Sequence, residues 1–210
     1  MRVLRIISTL LAAATPAAAQ SGTQAASGLP SGWSARTDRD ADVSTVKFAP
    51  MGSGMHLTSG RVAGVYYRAE DQVSGGKFHS VATFTQTKAP MHPEGYGLFL
   101  AGSDLAGPNQ KYVYFLVRGD GMFLVKKRDG ANTSDVKPWT AHDAIQKADS
   151  AGKATNKVEI DAAGPKVAFK VNGQTVYEMD AAPADRAGIV GLRVNHGLDL
   201  HIDGFAVHKM

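Results

Sequence analysis

Apolar and polar side chains alternate with a period of two in one short segment after another, from about Gly32 to the C-terminus. Successive residues of a strand point to opposite faces of a sheet, so this period belongs to half-buried strands, whereas a helix would repeat every 3.6 residues. In Lys77–Thr87, Phe78, Ala82 and Phe84 share one face while His79, Thr83, Thr85 and Thr87 share the other. In Lys111–Arg118 the sets are Val113, Phe115 and Val117 against Tyr112, Tyr114, Leu116 and Arg118. Val158 and Ile160 alternate with Glu159 and Asp161, and Val167, Phe169 and Val171 with Lys170 and Asn172. Leu192 and Val194 oppose Arg193 and Asn195, and Leu198, Leu200 and Ile202 oppose Asp199, His201 and Asp203. Gly204 breaks that phase in the manner of a bulge before Phe205 and Val207 resume it.

Turn chemistry falls between these runs. Gly119-Asp120-Gly121 separates Lys111–Arg118 from Met122–Arg128, and Asn172-Gly173 separates Lys166–Val171 from Thr175–Met179. Both dipeptides, Asp-Gly and Asn-Gly, accept the positive φ that tight hairpin turns require. Thr140 as an N-cap, with Asp143 behind it, predicts one short helix over Ala141–Lys147. The count comes to about eleven to thirteen strands with turn signals every 8–14 residues, and no βαβ rhythm or long repeat accompanies them. The expectation is an all-β antiparallel β-sandwich in a single domain, residues 32–210. With 43% hydrophobic residues the chain can fill such a core. It has no cysteine, so a disulfide framework, a thiolate zinc site and a thiol nucleophile are excluded.

Residues 1–19 read as a signal peptide: Arg2 and Arg5, then an apolar run from Ile6 to Ala14, then Ala17-Ala18-Ala19 before the cleavage point. The run is too short for a membrane span, which needs about 20 apolar residues. Residues 20–31, rich in Gly, Ser, Ala and Gln, read as a flexible tether. Of the 23 basic residues, Arg2 and Arg5 lie in the leader, leaving 21 against 19 acidic ones. So small an excess argues against nucleic acid or an anionic membrane as partner. The expected location is periplasmic or secreted.

Three stretches resemble a known architecture. Lys111–Lys127, the pair Asn156–Asp161 with Lys166–Gln174, and the pair Gly188–Asn195 with Leu200–Val207 are similar to hairpins of concanavalin A-like (laminin G-like) jelly rolls. Among these, the chain most resembles secreted bacterial 3-keto-disaccharide hydrolase-type domains. The resemblance implies a jelly-roll sandwich; that superfold hosts lectins, glycosidases and plain interaction modules, so it implies no single activity.

Catalysis of glycoside cleavage normally uses paired carboxylates. The laminarinase-type Glu-x-Asp-x-x-Glu is absent, and Glu70, Glu94, Glu159 and Glu178 are the only glutamates. Glu94 with His92, between Pro90 and Pro93, forms the one acid–base candidate, as expected for a hydrolase or lyase acting on modified disaccharides or glucans. The favoured reading is a non-catalytic saccharide-binding module. Tyr112, Tyr114 and Arg118 project from one strand face, offering ring surfaces and a forked donor to a sugar. Thr85, Tyr96, Arg193 and Asn195 are polar candidates to join them. Asp104, in a Gly/Pro/Asn-containing loop, is a weak candidate for Ca2+, with no cofactor otherwise expected. Asp199, His201 and Asp203 lie at i, i+2, i+4, successive members about 7 Å apart, too far for all three to bind one ion, and read as a solvated face. Lys126-Lys127-Arg128 reads as charge on a strand edge. A structural or adhesive role against another envelope protein is the remaining alternative.

Overall fold

The structure, a computed structural model, describes residues 28–39 and 43–210. The signal peptide expected over residues 1–19, and the tether as far as residue 27, lie outside the described residues. Among the described residues fourteen strands form two seven-stranded sheets, and every pairing is antiparallel.

In chain order the strands are β1 (Trp33–Thr37), β2 (Lys47–Met51), β3 (Gly54–Thr58), β4 (Gly64–Val73), β5 (Phe78–Gln86), β6 (Gly95–Ser103) and β7 (Lys111–Arg118). They continue as β8 (Met122–Asp129), β9 (Asn132–Ala141), β10 (Ala154–Asp161), β11 (Lys166–Val171), β12 (Gln174–Asp180), β13 (Gly188–Val194) and β14 (Asp199–Lys209). The first sheet runs β1-β4-β13-β6-β7-β8-β9 and the second β12-β11-β10-β5-β14-β3-β2. Hairpins such as β7–β8 and β11–β12 pair neighbours in sequence, while β13 inserts between β4 and β6, and β14 between β3 and β5. Long crossovers of this kind make the sandwich a jelly roll.

The inner faces supply the core. Val113, Phe115, Val117, Phe169, Val171, Leu192, Val194 and Ile202, the residues alternation assigns there, are all buried, with Phe115 against Phe169 at 5.2 Å between ring centroids. Each such side chain removed from water contributes about 1.5–3 kcal/mol. At Gly204 the β14–β5 register shifts between Asp203 and Ala206, and Gly204 has φ +61. The bulge lets β14 continue as a single strand to Lys209. Two prolines fall within strands, Pro50 in β2 and Pro138 in β9, and both strands are sheet edges, where a missing N–H costs no ladder bond.

Two expectations need correction. No helix forms over Ala141–Lys147. Thr140 and Ala141 extend β9 opposite Phe123 and Met122, and the Thr140 hydroxyl donates to Pro138 O instead of capping. A turn follows, and the short helix lies elsewhere, at α1 (Pro183–Arg186), where Pro183 occupies the first turn. Lys126-Lys127-Arg128 does not guard an edge either, because β8 lies between β7 and β9 and Arg128 is buried.

Candidate functional site

The outer face of the first sheet is built by the alternate residues of β4, β13, β6, β7 and β8. Register sets Val65, Arg193, Gly97, Leu116 and Leu124 in one row, and Tyr67, Gly191, Phe99, Tyr114 and Lys126 in the next. Gly97 is required by packing: a Cβ there would stand 2.2 Å from the Phe115 carbonyl oxygen. The middle of this face is dry. Val65, Phe99, Leu105, Tyr112, Tyr114, Leu116 and Leu124 make a second apolar cluster, separate from the inter-sheet core.

Tyr112 and Tyr114 therefore occupy the face that alternation assigns, but they do not offer free ring surfaces. They are 2% and 6% exposed, tilted against each other with ring centroids 5.6 Å apart, and capped by Arg193, whose guanidinium carbon lies 5.2 Å from the Tyr114 ring centroid. Arg193 Nη1 also donates toward Tyr112 Oη at 3.3 Å. Burial pushes the Tyr112 phenol up to about 12, so it stays neutral. Asp38, just past β1, accepts from both terminal nitrogens of Arg193 at 2.6 Å and pairs with Arg128 at 3.1 Å. Burial by itself would raise the Asp38 carboxyl, but the hydrogen bonds and charges of Arg193 and Arg128 outweigh it and hold the carboxyl below its ordinary value. Burial likewise opposes the Arg193 charge, and the facing Tyr112 and Asp38 oxygens overcome it.

One partly accessible end of this face lies where β6 begins and β7 and β13 finish. Arg118 pairs across to Gly95. Its guanidinium lies 4.1 Å from the centroid of Trp139, donates to Asp120 at 3.1 and 2.5 Å, and reaches Met122 Sδ at 2.9 Å. Trp139 crosses to this end from β9 because Gly95 has no side chain: a Cβ there would meet the indole at 3.0 Å. Beside Gly95, the Glu94 carboxylate accepts from Asn195 Nδ2 at 3.1 Å and lies 3.0 Å from His196 Nε2. Arg118, Trp139, Asn195, Glu94 and His196 thus share one rim. Behind it, a cleft of about 230 Å3 is lined by Pro90, Pro93, Gly119, Asp120 and Asp149 among others.

The other residues singled out from sequence lie apart. Thr85 is on the opposite sheet, its hydroxyl 2.9 Å from that of Thr155, and cannot join Tyr112. Tyr96 points inward, fully buried, with Asn156 Nδ2 donating to its hydroxyl at 3.3 Å. His92 is exposed in its loop, and the histidine paired with Glu94 is His196 instead. Asp104 sits at φ 47 and accepts from the Asn109 amide at 3.2 Å. Asp199, His201 and Asp203 lie partly exposed on the outer face of the second sheet, and each is paired: Asp199 with His56 and Lys88, His201 with Asp203. Among the described residues no three or more His, Cys, Asp or Glu side chains converge to hold a metal ion, and no helix is long and apolar enough to cross a membrane.

Sequence reasoning missed Asp38, Arg128, Trp139 and His196. Trp139 had one available signal, an aromatic residue beside Pro138 that a polar edge strand does not need for packing. Asp38 had none, standing in an Arg/Asp-rich stretch without periodicity.

No protein-family model matches the chain, and no curated protein matches it in sequence. Solved structures do match in fold. The carbohydrate-binding module CBM66 from Bacillus subtilis superposes with a TM-score of 0.60 at 14% identity, covering 85% of this chain and 96% of that one. A protein of unknown function with a galectin-like fold from Bacillus subtilis gives 0.56 at 15%, covering 84% and 89%. The Emp46p carbohydrate recognition domain in its metal-free form gives 0.54 at 13%, covering 85% and 88%. The fold is the concanavalin A-like sandwich that the hairpins resemble.

Proposed function

We propose that this chain is an exported, non-catalytic module that binds saccharide at the Arg118–Trp139 end of the first sheet's outer face. The carrying observation is the Arg118 guanidinium over the half-buried Trp139 ring, 4.1 Å from its centroid, on the same rim as the Glu94 carboxylate and the Asn195 amide. An indole plane packs against the C–H face of a sugar ring, while Arg, Asn and carboxylate groups hydrogen-bond its hydroxyls and fix its orientation. This assignment moves stacking from Tyr112 and Tyr114, which are buried, to Trp139. Two of the fold's neighbours are named for carbohydrate, which supports the reading as fold-level analogy. Export is supported by the leader-like pattern of residues 1–19.

A shallow rim excludes little water, so affinity on the order of 0.1–1 mM is expected. A glycan array with the chain from residue 20, repeated with Trp139→Ala and Arg118→Ala, tests the reading. Binding to at least one glycan that both substitutions weaken tenfold or more supports it; binding to none, or binding neither substitution weakens, overturns it.

The Glu94–His196 pair favours a second reading, general acid–base cleavage of a modified disaccharide such as a 3-keto-glucoside. A histidine held 3.0 Å from a largely buried carboxylate is a suitable proton-transfer pair. Product release by the wild type that Glu94→Gln abolishes would establish this reading in place of the first.

A further inference from the structure

The outer face of the second sheet carries two imidazoles that the saccharide reading does not use. His56 on β3 and His201 on β14 are direct cross-strand partners. Such partners have Cβ atoms about 4.5–5.5 Å apart, close enough for two side chains to hold one atom between them. Each ring is oriented through Nε2 by its own carboxylate: His56 by Asp199 Oδ1 at 3.0 Å, His201 by Asp203 Oδ2 at 2.6 Å. Those carboxylates are themselves held, Asp199 by Thr58, Thr87 and Lys88, Asp203 by Ser53. The Nδ1 atoms of both rings are buried and meet no hydrogen-bond partner.

A ring that donates its Nε2 proton to the carboxylate presents a bare lone pair on Nδ1. A ring backed by a carboxylate through one nitrogen and bare at the other is the arrangement that metal-ligating histidines adopt.

We propose that His56 and His201 chelate one divalent transition-metal ion through their Nδ1 atoms, with Asp199 and Asp203 as positioning residues. Imidazole nitrogens suit Zn2+, Ni2+ and Cu2+, whereas Ca2+ and Mg2+ demand oxygen ligands. No third ligating side chain converges with the pair among the described residues, so water completes the coordination. Side-chain exposures of 26% and 21% place the pair at the solvent-facing side of the sheet, from which an ion can approach. A second cross-strand pair, His79 and His208, provides the internal control. Its rings stack 5.9 Å apart and nearly parallel, 9° between planes, so their in-plane lone pairs do not meet.

Titration of the full chain with Zn2+ by calorimetry, and with Cu2+ by electron paramagnetic resonance, tests the site. The expected result is one ion per chain, with two imidazole nitrogens coupled to Cu2+. His56→Gln and His201→Gln each weaken binding at least tenfold and leave one coupled nitrogen. Asp203→Asn weakens it about tenfold through the loss of orientation alone. His208→Ala leaves it unchanged. Absence of uptake by the wild type, uptake indifferent to His56→Gln and His201→Gln, or loss on His208→Ala overturns the proposal. Circular dichroism of the metal-free variants separates lost ligation from lost fold.

Discussion

Arg193 and Asp38 meet in a fork-to-fork pair, Nη1 to Oδ1 and Nη2 to Oδ2, both at 2.6 Å, joining the C-terminal end of β13 to the chain just beyond β1. Arg193 is 3% exposed and lies over the Tyr112–Tyr114 pair, so its charge depends on this one carboxylate, which also serves Arg128. Removing one partner of a buried pair leaves the other charge uncompensated, which costs about 3–5 kcal/mol. Asp38→Ala is expected to lower stability by that amount in urea unfolding. Arg193→Met, which replaces the charge with an apolar side chain of similar length, should cost distinctly less. Equal losses would show that the pair's charge is not what matters there.

The same carboxylate sets a pH dependence. The folded-state pKa of Asp38 is lowered from 3.8, and so is that of Asp161, chiefly through the hydrogen bond from Lys170 at 2.6 Å. A carboxyl whose folded pKa is depressed adds stability that is fully present above its unfolded value and lost as pH falls through the folded one. Stability should therefore be flat near neutrality and fall below about pH 4, as these groups take up protons on unfolding. Urea midpoints measured between pH 6 and pH 2 check this, and Asp38→Asn should fall less steeply over that window than the wild type.

Asn156 explains the missing helix. Fully buried, it accepts from the Gln146 amide at 2.8 Å and from Asn172 Nδ2 at 2.9 Å, and donates to Gln146 O at 3.1 Å and Tyr96 Oη at 3.3 Å. These bonds hold the turn after His142 from outside, in place of the internal ladder a helix would use. Asn156→Ala would leave several buried groups unpaired, at about 1–3 kcal/mol each. The expected outcome is a loss of about 3 kcal/mol, with amide exchange at Ala144–Lys147 accelerating before that of β7. Uniform acceleration across both would contradict this placement.

Gly97 tests the tightness of the first sheet. Its missing Cβ would come within 2.2 Å of a backbone oxygen on β7, which cannot move aside as a side chain can. Gly97→Ala is expected to cost about 1–3 kcal/mol, the range for overpacking. Gly75→Ala, where a Cβ meets nothing within 4 Å, should be close to neutral in the same thermal unfolding experiment.

Period-two alternation made the strands, both hairpin turns and the bulge at Gly204 legible, because each is local and encoded in consecutive residues. What it could not reveal is which faces stay wet. On β7 both faces are covered, Val113, Phe115 and Val117 by the opposing sheet and Tyr112, Tyr114 and Leu116 by Phe99, Leu124 and Arg193 from neighbouring strands. That cover comes from residues distant in sequence, so tyrosines that alternation sets opposite the core turn out to be buried. The face that Trp139 takes was not legible for a related reason. Register shifts between β8 and β9 around Val125 destroy the alternation that would have assigned its face.

Arg118 gives the sharpest test of the binding surface. It is held by two contacts of different kinds, the cation–π contact over the Trp139 ring at 4.1 Å and the forked bonds to Asp120. Lysine keeps the charge but has neither a plane to stack nor a fork to pair. If the guanidinium orients a sugar beside the indole, Arg118→Lys should weaken glycan binding nearly as much as Arg118→Ala. If only positive charge matters, Arg118→Lys should bind as the wild type does. The Arg118–Asp120 pair is partly solvent-exposed, with side-chain exposures of 18% and 35%, and such pairs contribute about 1 kcal/mol or less. Both variants should therefore stay folded, with Tm within a few degrees of the wild type, and calorimetry with the best glycan from the array would separate orientation from charge.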